Sequence, residues 1–264
     1  MSYNHNNKLI LITGASSGIG YSTAIEFSKK KTKLALVGRS ENKLAKLKKA
    51  IKDNNLNVEY FVFDLKNLEN IEYLIKKIEN HFDQSIDIFI HCAGYAVLGN
   101  VQKVNIKDYQ ENININTFSA IVITKNIIEK MKKKKNGQFI FISSGIGKRA
   151  LPGASSYSIS KFALNAFSES LRVELLEFNV DVIVISPGLV STNFEKNIKL
   201  SGNLSELFTS GKKHHSQYVA KKIFKSSLLQ KRYVSLSYYS SLGVLINFLF
   251  PKFMDYYLNK RINK

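Results

Sequence analysis

Cysteine and proline are scarce in this chain, acids are outnumbered, and long apolar runs are missing. A single cysteine, Cys92, excludes a disulfide framework and any cysteine-rich zinc or iron–sulfur site. No metal site is expected, and the expected setting is reducing and cytoplasmic. Three prolines in 264 residues leave little room for a hinge between domains. The longest clear apolar stretch, Leu242–Phe250, is half of the roughly 18 residues a membrane span needs, so no spanning helix is expected. The start, MSYNHNNKLILITG, lacks a charged segment followed by a cleavable apolar one, and no leader is expected.

Asp and Glu number 20 against 39 Lys and Arg, a net charge of +19. Such a balance attracts polyanions: nucleic acid, anionic lipid or phosphorylated metabolites. The lysines, however, are spread along the whole chain, densest at Lys130 and Lys132–Lys135. There is no basic helix with base-reading spacing and no aromatic-interleaved basic strand pair, so nucleic acid is not an expected partner. With 44% hydrophobic and 22% charged residues the composition is globular, and the length suits one well-cored domain.

What is present is a regular alternation. Short β-branched runs at Lys8–Thr13, Leu34–Val37, Val58–Phe63, Ile86–His91, Gln138–Ser143 and Val180–Ser186 read as strands buried on both faces. Between them, Ile19–Lys30, Glu41–Asn54, Leu68–Phe82, Ile106–Lys133 and Ser156–Glu177 read as helices. Ser40 and Asn67 stand as N-caps of the second and third. Strands alternating with helices predict βαβ units and an α/β fold, a doubly wound parallel sheet in one domain. The rhythm changes in the last third. Ser191–Lys213 is polar and weakly periodic, His215–Gln230 reads as a helix and Tyr233–Ser237 as a last strand. Residues 238–264 form a tail with an apolar face.

Straight after the first strand comes Thr13-Gly14-Ala15-Ser16-Ser17-Gly18-Ile19-Gly20, then a helix. Residues without Cβ allow the backbone to approach a ligand closely or reach positive φ, and the free N–H groups of the helix suit a pyrophosphate. That position predicts dinucleotide binding. An acid at the end of the second strand would accept from a ribose 2′-hydroxyl and repel a 2′-phosphate. This chain has Val37-Gly38-Arg39-Ser40 instead. Arg39 can pair with a phosphate in a forked geometry and Ser40 can add a donor, which favours NADP(H) over NAD(H). Asp64, followed by Leu65 at the end of the third strand, can accept from an adenine amino group or cap the next helix.

The sharpest chemical signal is Tyr157-Ser158-Ile159-Ser160-Lys161, which sets tyrosine and lysine at i and i+4 on one helical face. A free phenol, with a pKa near 10, is a poor base at neutral pH; a neighbouring ammonium favours the phenolate. The phenol then exchanges a proton with an alcohol or ketone while hydride moves to or from a nicotinamide. Ser144 ends the fifth strand run FIFISS and can fix the reacting oxygen.

The glycine turn, the strand-end serine and the tyrosine–lysine pair together resemble the short-chain dehydrogenase/reductase family over about Lys8–Thr192. The resemblance implies a Rossmann-type fold, hydride transfer, and a catalytic set of Asn116, Ser144, Tyr157 and Lys161. In it, Tyr157 is the acid/base, Lys161 lowers its pKa and holds the nicotinamide ribose, and Asn116 holds a relay water. Asn112 and Asn114 are rivals for that last place. It also implies cofactor contacts through Pro187, Gly188, Val190 and Thr192 after the sixth strand, and through Ala93 and Gly94 after the fourth. Where the family shows Asn-Asn-Ala-Gly, this chain has His91-Cys92-Ala93-Gly94. The missing asparagine at 92 puts a sheet-stabilising hydrogen bond in doubt. Cys92 reads as a small buried thiol and His91 as a packed strand-end residue.

The substrate pocket is expected from Tyr95–Leu98, Gly145–Ser155 and a loop over 189–214. Tyr95, Val97, Leu98, Ile146, Leu151, Leu189, Val190 and Phe194 make it apolar, pointing to a hydrophobic carbonyl or alcohol, with Lys148 and Arg149 available to an anionic group. The tail, with Phe248, Leu249, Phe250 and Phe253 flanked by Lys252, Lys260 and Arg261, either packs on the protein or a second subunit, or lies peripherally on an anionic membrane. The resemblance further implies a homo-oligomer built on the long fourth and fifth helices. A non-catalytic NADP(H)-binding regulatory protein is the competing function.

Overall fold

A computed structural model describes residues 3–52, 57–192, 194, 198–201 and 213–262. Its centre is a seven-stranded parallel sheet. The strands, in chain order, are β1 (Leu9–Thr13), β2 (Lys33–Gly38), β3 (Val58–Val62), β4 (Ile88–His91), β6 (Gly137–Ile142), β7 (Val180–Ser186) and β11 (Tyr233–Ser235). Their spatial order is β11-β7-β6-β4-β1-β2-β3. The chain therefore builds outward from β1 in one direction, returns, and builds outward from β4 in the other. The two crossovers diverge between β1 and β4, which opens a crevice at the C-terminal ends of those strands.

Helices cover both faces, and the strand sequences show why. In β1, Leu9 and Leu11 enter one core with Phe89, Phe139 and Phe141. Over them lie α3 (Ile71–Phe82), α5 (Ser119–Lys134) and α6 (Ser155–Glu174). Ile10 and Ile12 enter the opposite core with Ile88, Ile90, Ile140 and Ile183. There the cover is α1 (Gly18–Ser28), α2 (Glu41–Lys52) and, further along, α7 (Ser216–Leu228). Successive side chains of a strand point to opposite faces, so a continuous apolar run fills both layers. Residues 53 and 54, expected to close the second helix, lie outside the described residues.

Three local expectations are corrected. The helix expected over 106–133 is two helices, α4 (Ile106–Ile113) and α5, joined by a π turn over Asn114–Phe118. Asn67 does not cap the third helix with its side chain; the chain enters α3 through a 3₁₀ turn, Leu68–Asn70. Short strand pairs that the alternation does not signal also appear: β5 (Val97–Gly99) with β9 (Lys199–Ser201), and β8 (Val190–Ser191) with β10 (His214–His215). The tail is helical, as α8 (Tyr238–Leu249) and α9 (Pro251–Ile262). Most of the polar stretch 191–213 lies outside the described residues.

Phe89 is fully buried on β4 and meets Phe141 edge to face, ring centroids 6.1 Å apart. Phe89→Ala is expected to lower unfolding stability by about 3–5 kcal/mol, read from the urea midpoint; an unchanged midpoint would contradict this account of the core.

Candidate active site

The crevice is shaped by a close approach of two backbones. Gly14 ends β1 with φ +67°, and a Cβ there would lie 2.8 Å from the backbone of Ala93. Side chains stitch the same two strands. His91 Nδ1 and Thr13 Oγ1 are 3.0 Å apart, and the N–H of Ala93 donates to Thr13 Oγ1 at 3.4 Å. His91 is fully buried, and burial, helped by the charge on Lys161, pulls its pKa down to about 3. It is therefore neutral and structural.

Ser17 occupies the N-cap position of α1 in an extended conformation, but its side chain makes no capping bond, and no acid lies in the first turn. The first N–H groups of α1 are thus left for an anion. Gly18, with φ +56°, faces Thr192, whose side chain would be 3.3 Å from a Cβ there. The Pro187–Thr192 segment therefore closes over the glycine turn. Ser16 lies against Gly38, 3.3 Å from the position of a Cβ, so the turn borders Arg39 and Ser40. Arg39 is exposed, and the carbonyl of Ser40 accepts from Leu44 N–H to start α2. Asp64 accepts from the N–H of Lys66 at 3.1 Å in a local turn, and the Leu65 side chain belongs to the core.

On the other side, Asn116 sits on the π turn and is fully buried. Its Nδ2 donates to the Tyr95 carbonyl at 3.0 Å and to Ser160 Oγ at 2.9 Å, while its Oδ1 accepts from Tyr95 N–H at 3.1 Å. Asn112 donates to the same Tyr95 carbonyl at 2.9 Å; Asn114 is half-buried. A Cβ on Gly94 would lie 2.9 Å from Asn116 Oδ1 and 3.6 Å from Lys161 Nζ, so the three meet at one point. Lys161 is 4% exposed and donates to the Ile142 carbonyl at 2.8 Å. Its Nζ lies 5.9 Å from the centre of the Tyr157 ring. Ser144, just past β6, accepts from the N–H of Ile146 and lies near enough to Tyr157 to hold back the rise in its pKa. Asn116, Ser144, Tyr157 and Lys161 therefore converge on one cleft.

Residues 8–201 match the family profile described as short chain dehydrogenase. The chain belongs to the short-chain dehydrogenase/reductase family. It is 34% identical over 195 residues to dehydrogenase/reductase SDR family member 7B of Xenopus tropicalis, covering 72% of this chain and 63% of that one. It is 30% identical over 201 residues to 3-ketodihydrosphingosine reductase of Mus musculus, covering 72% and 60%. The match thus spans about three fifths of the length of these relatives. Among solved structures, a short-chain dehydrogenase from Streptomyces avermitilis superposes with a TM-score of 0.83 at 21% identity, covering 98% of this chain and all of that one. An alcohol dehydrogenase from Thermococcus sibiricus, complexed with 5-hydroxy-NADP, gives 0.76 at 22% identity, with 88% and 96% covered. At such identities these two establish the fold alone.

In this short-chain dehydrogenase, one expectation about the tyrosine–lysine pair is corrected. Burial outweighs the acidification expected of the pair. The Lys161 ammonium turns to the Ile142 carbonyl, and burial pushes Tyr157 up to about 12, opposed by the nearby Ser144. Burial also pulls Lys161 down to about 8. At pH 7 the phenol is protonated and the amine still charged. Cys92 stands where the family has asparagine; burial pushes its thiol up to about 12, which excludes a thiolate nucleophile.

Beside Tyr157 lies an apolar cluster of Ala96, Leu98, Ile146 and Ala154, joined by Leu151, Phe194 and Ile198. Ala96, Ala154 and Ile198 went unnoticed in the sequence because two are small and the third stands alone in a polar stretch. Val97, also expected here, points to the other side of its strand from Ala96 and Leu98, and Val190 packs into the core with Ile183 and Ile185. Lys148 and Arg149 are not free to receive an anion. Lys148 Nζ sits 3.7 Å from the centre of the Tyr233 ring, and Arg149 pairs with Asp255 at 2.9 Å.

A lysine whose folded pKa is depressed destabilises the fold below that pKa, because the unfolded chain binds the proton more tightly; the cost fades as pH rises from about 8 to above 10. Lys161→Met is therefore expected to raise stability at pH 7 by on the order of 2 kcal/mol, after subtracting the lost hydrogen bond, with the gain vanishing above about pH 10.5. Urea melts of both proteins at pH 7 and pH 10.5 test this, and a destabilised variant at pH 7 would refute it.

Proposed function

We propose that this protein is an NADP(H)-dependent oxidoreductase that interconverts a hydrophobic ketone or aldehyde with its alcohol, with Tyr157 as the acid/base. The observation that carries the proposal is the convergence of Ser144, Tyr157, Lys161 and Asn116 beside a glycine turn that leaves a helix N-terminus uncapped.

The residues fit the dinucleotide. The turn from Gly14 through Ser16, Ser17, Gly18 and Ile19 to Gly20 would hold the pyrophosphate, with Thr192 above it. Arg39 and Ser40 would hold a 2′-phosphate; no acid stands at the end of β2 to repel it. Asp64, Leu65, Ala93 and Gly94 would line the adenosine half, and Pro187, Gly188, Val190, Tyr157 and Lys161 the nicotinamide half. When bound, the cofactor supplies or accepts the hydride.

The protein's own residues handle the proton. Tyr157, protonated at neutral pH, donates to the carbonyl oxygen, and Ser144 holds that oxygen in place. The Lys161 ammonium stabilises the phenolate that forms, at short range and out of water. Asn116, tied to Tyr95 and Ser160, holds the water that returns the proton. Held protonated at pH 7, the phenol is in the acid form that reduction of a carbonyl needs. The apolar cluster around Tyr157 supports a hydrophobic substrate, as does the 3-keto compound in the name of the mouse relative. A homo-oligomer is supported by exposed Phe118, Ile159 and Phe162 on the long-helix face.

Tyr157→Phe is expected to lower kcat about a thousandfold with NADPH still bound, as read by steady-state rates and fluorescence titration; near-normal turnover would end the proposal. Arg39→Ala is expected to weaken NADPH about tenfold while leaving NADH nearly unchanged, and equal losses would exclude the 2′-phosphate contact. Ketone reduction is expected to decline as pH rises through about 8, where Lys161 loses its charge; a rate rising through that window would contradict its role.

A further inference from the structure

The tail is anchored on one side and bare on the other. Met254 and Leu258, at i and i+4 of α9, are buried against the protein, and Asp255 pairs with Arg149 at 2.9 Å. The rest of the tail faces outward with large apolar side chains: Leu245 is 53% exposed, Phe248 82%, Phe250 62% and Phe253 60%. Burial of Met254 and Leu258 fixes the rotation of α9, so the exposure of Phe253 is a presented face and not a frayed end. An apolar surface held out in this way marks an interaction site.

A second feature adjoins it. A groove of about 430 Å³ runs along α7 to Ser241 on α8, and Lys222, Lys225 and Lys231 line it. Among the described residues, none of these three lysines forms an ion pair with a carboxylate. The apolar face is thus bordered by unneutralised positive charge, with Lys252 and Lys260 exposed along it.

We propose that α8, α9 and the Lys222–Lys225–Lys231 groove form a docking surface for an anionic lipid bilayer. The aromatic residues would enter the boundary of the acyl chains and the lysines would meet the phosphate headgroups. The lysines that border the aromatic face select an anionic surface over a second copy at this face, which would bring the same unneutralised lysines to the contact. No described helix is long and apolar enough to cross a membrane, so the tail lies in the interface and does not span it. Helix α8 also packs on the Gly145–Gly147 turn that follows Ser144, which sets the bilayer beside the apolar cluster around Tyr157. A lipid-soluble ketone would then reach the cleft without crossing water; that last step rests on the proposed oxidoreductase activity, whereas the docking surface does not.

The test is sedimentation of the full chain with vesicles of phosphatidylcholine alone and of phosphatidylcholine with phosphatidylserine, alongside reduction of a water-soluble ketone. Binding is expected to be at least about tenfold tighter to the anionic vesicles. Phe248→Ser, Phe250→Ser and Phe253→Ser together should abolish it while soluble-ketone reduction persists. Lys222→Gln, Lys225→Gln and Lys231→Gln together should bring it down to the level of phosphatidylcholine. No binding to anionic vesicles, or binding undiminished in both variants, overturns the proposal. So does an oligomer that the phenylalanine variant converts to monomer with vesicle binding unchanged, which would assign the face to a second copy. In the unmodified protein, absent vesicle binding with ketone reduction intact refutes the docking surface alone; absent ketone reduction with vesicle binding intact refutes the oxidoreductase reading alone.

Discussion

The Lys161 ammonium is held inside the protein with a backbone carbonyl and no carboxylate as its partner. An ion in that position costs folding energy, and the rest of the crevice is arranged around keeping it there. The helix that carries it must lie across the ends of β4 and β6, so that Ile142 can accept its proton. That placement is secured one residue earlier, where Ser160 accepts from Asn116 on the π turn. The π turn is in turn tied through Asn116 and Asn112 to Tyr95, at the start of the loop beyond β4. One buried charge is therefore linked to three chain segments, and Tyr157 comes to the cleft on the same helix.

The sheet supports this arrangement from below. Gly14 and Ala93 touch because neither backbone has a bulky side chain between them, and Thr13 and His91 lock the two strand ends together. His91, which burial keeps neutral, does this without adding a second charge near Lys161. Cys92 in the place of asparagine fits the same economy: its thiol fills space, and Thr13 together with His91 supplies the cross-strand bond. The glycine turn and the Tyr157–Lys161 side of the crevice thus meet at the gap where the two halves of the sheet diverge.

Much of this was legible in the order of residues. The strands read correctly because a parallel strand covered on both faces needs an unbroken apolar run, and Leu9 to Ile12 supplies four such residues in succession. The glycine turn and the Tyr157–Lys161 spacing stand out in the sequence because they are local geometry, a tight turn and one helical repeat. The π turn did not read, because widening one turn leaves no compositional mark on an otherwise continuous amphipathic helix. The short strands β5 and β9 were missed since their pairing joins residues a hundred positions apart. Lys148 and Arg149 were misjudged because their partners, Tyr233 and Asp255, lie far along the chain.

By itself, the sequence determined the class of fold, the glycine turn after the first strand and the shared helical face of Tyr157 and Lys161, since each rests on periodicity or spacing within a few residues. Tertiary structure alone decided the protonation of those groups, because desolvation depends on what the rest of the chain packs around them. It pushed the phenol of Tyr157 up and the amine of Lys161 down, the reverse of what proximity of the two suggests. It also decided which side of the tail faces outward, since that depends on Met254 and Leu258 finding a surface to bury against.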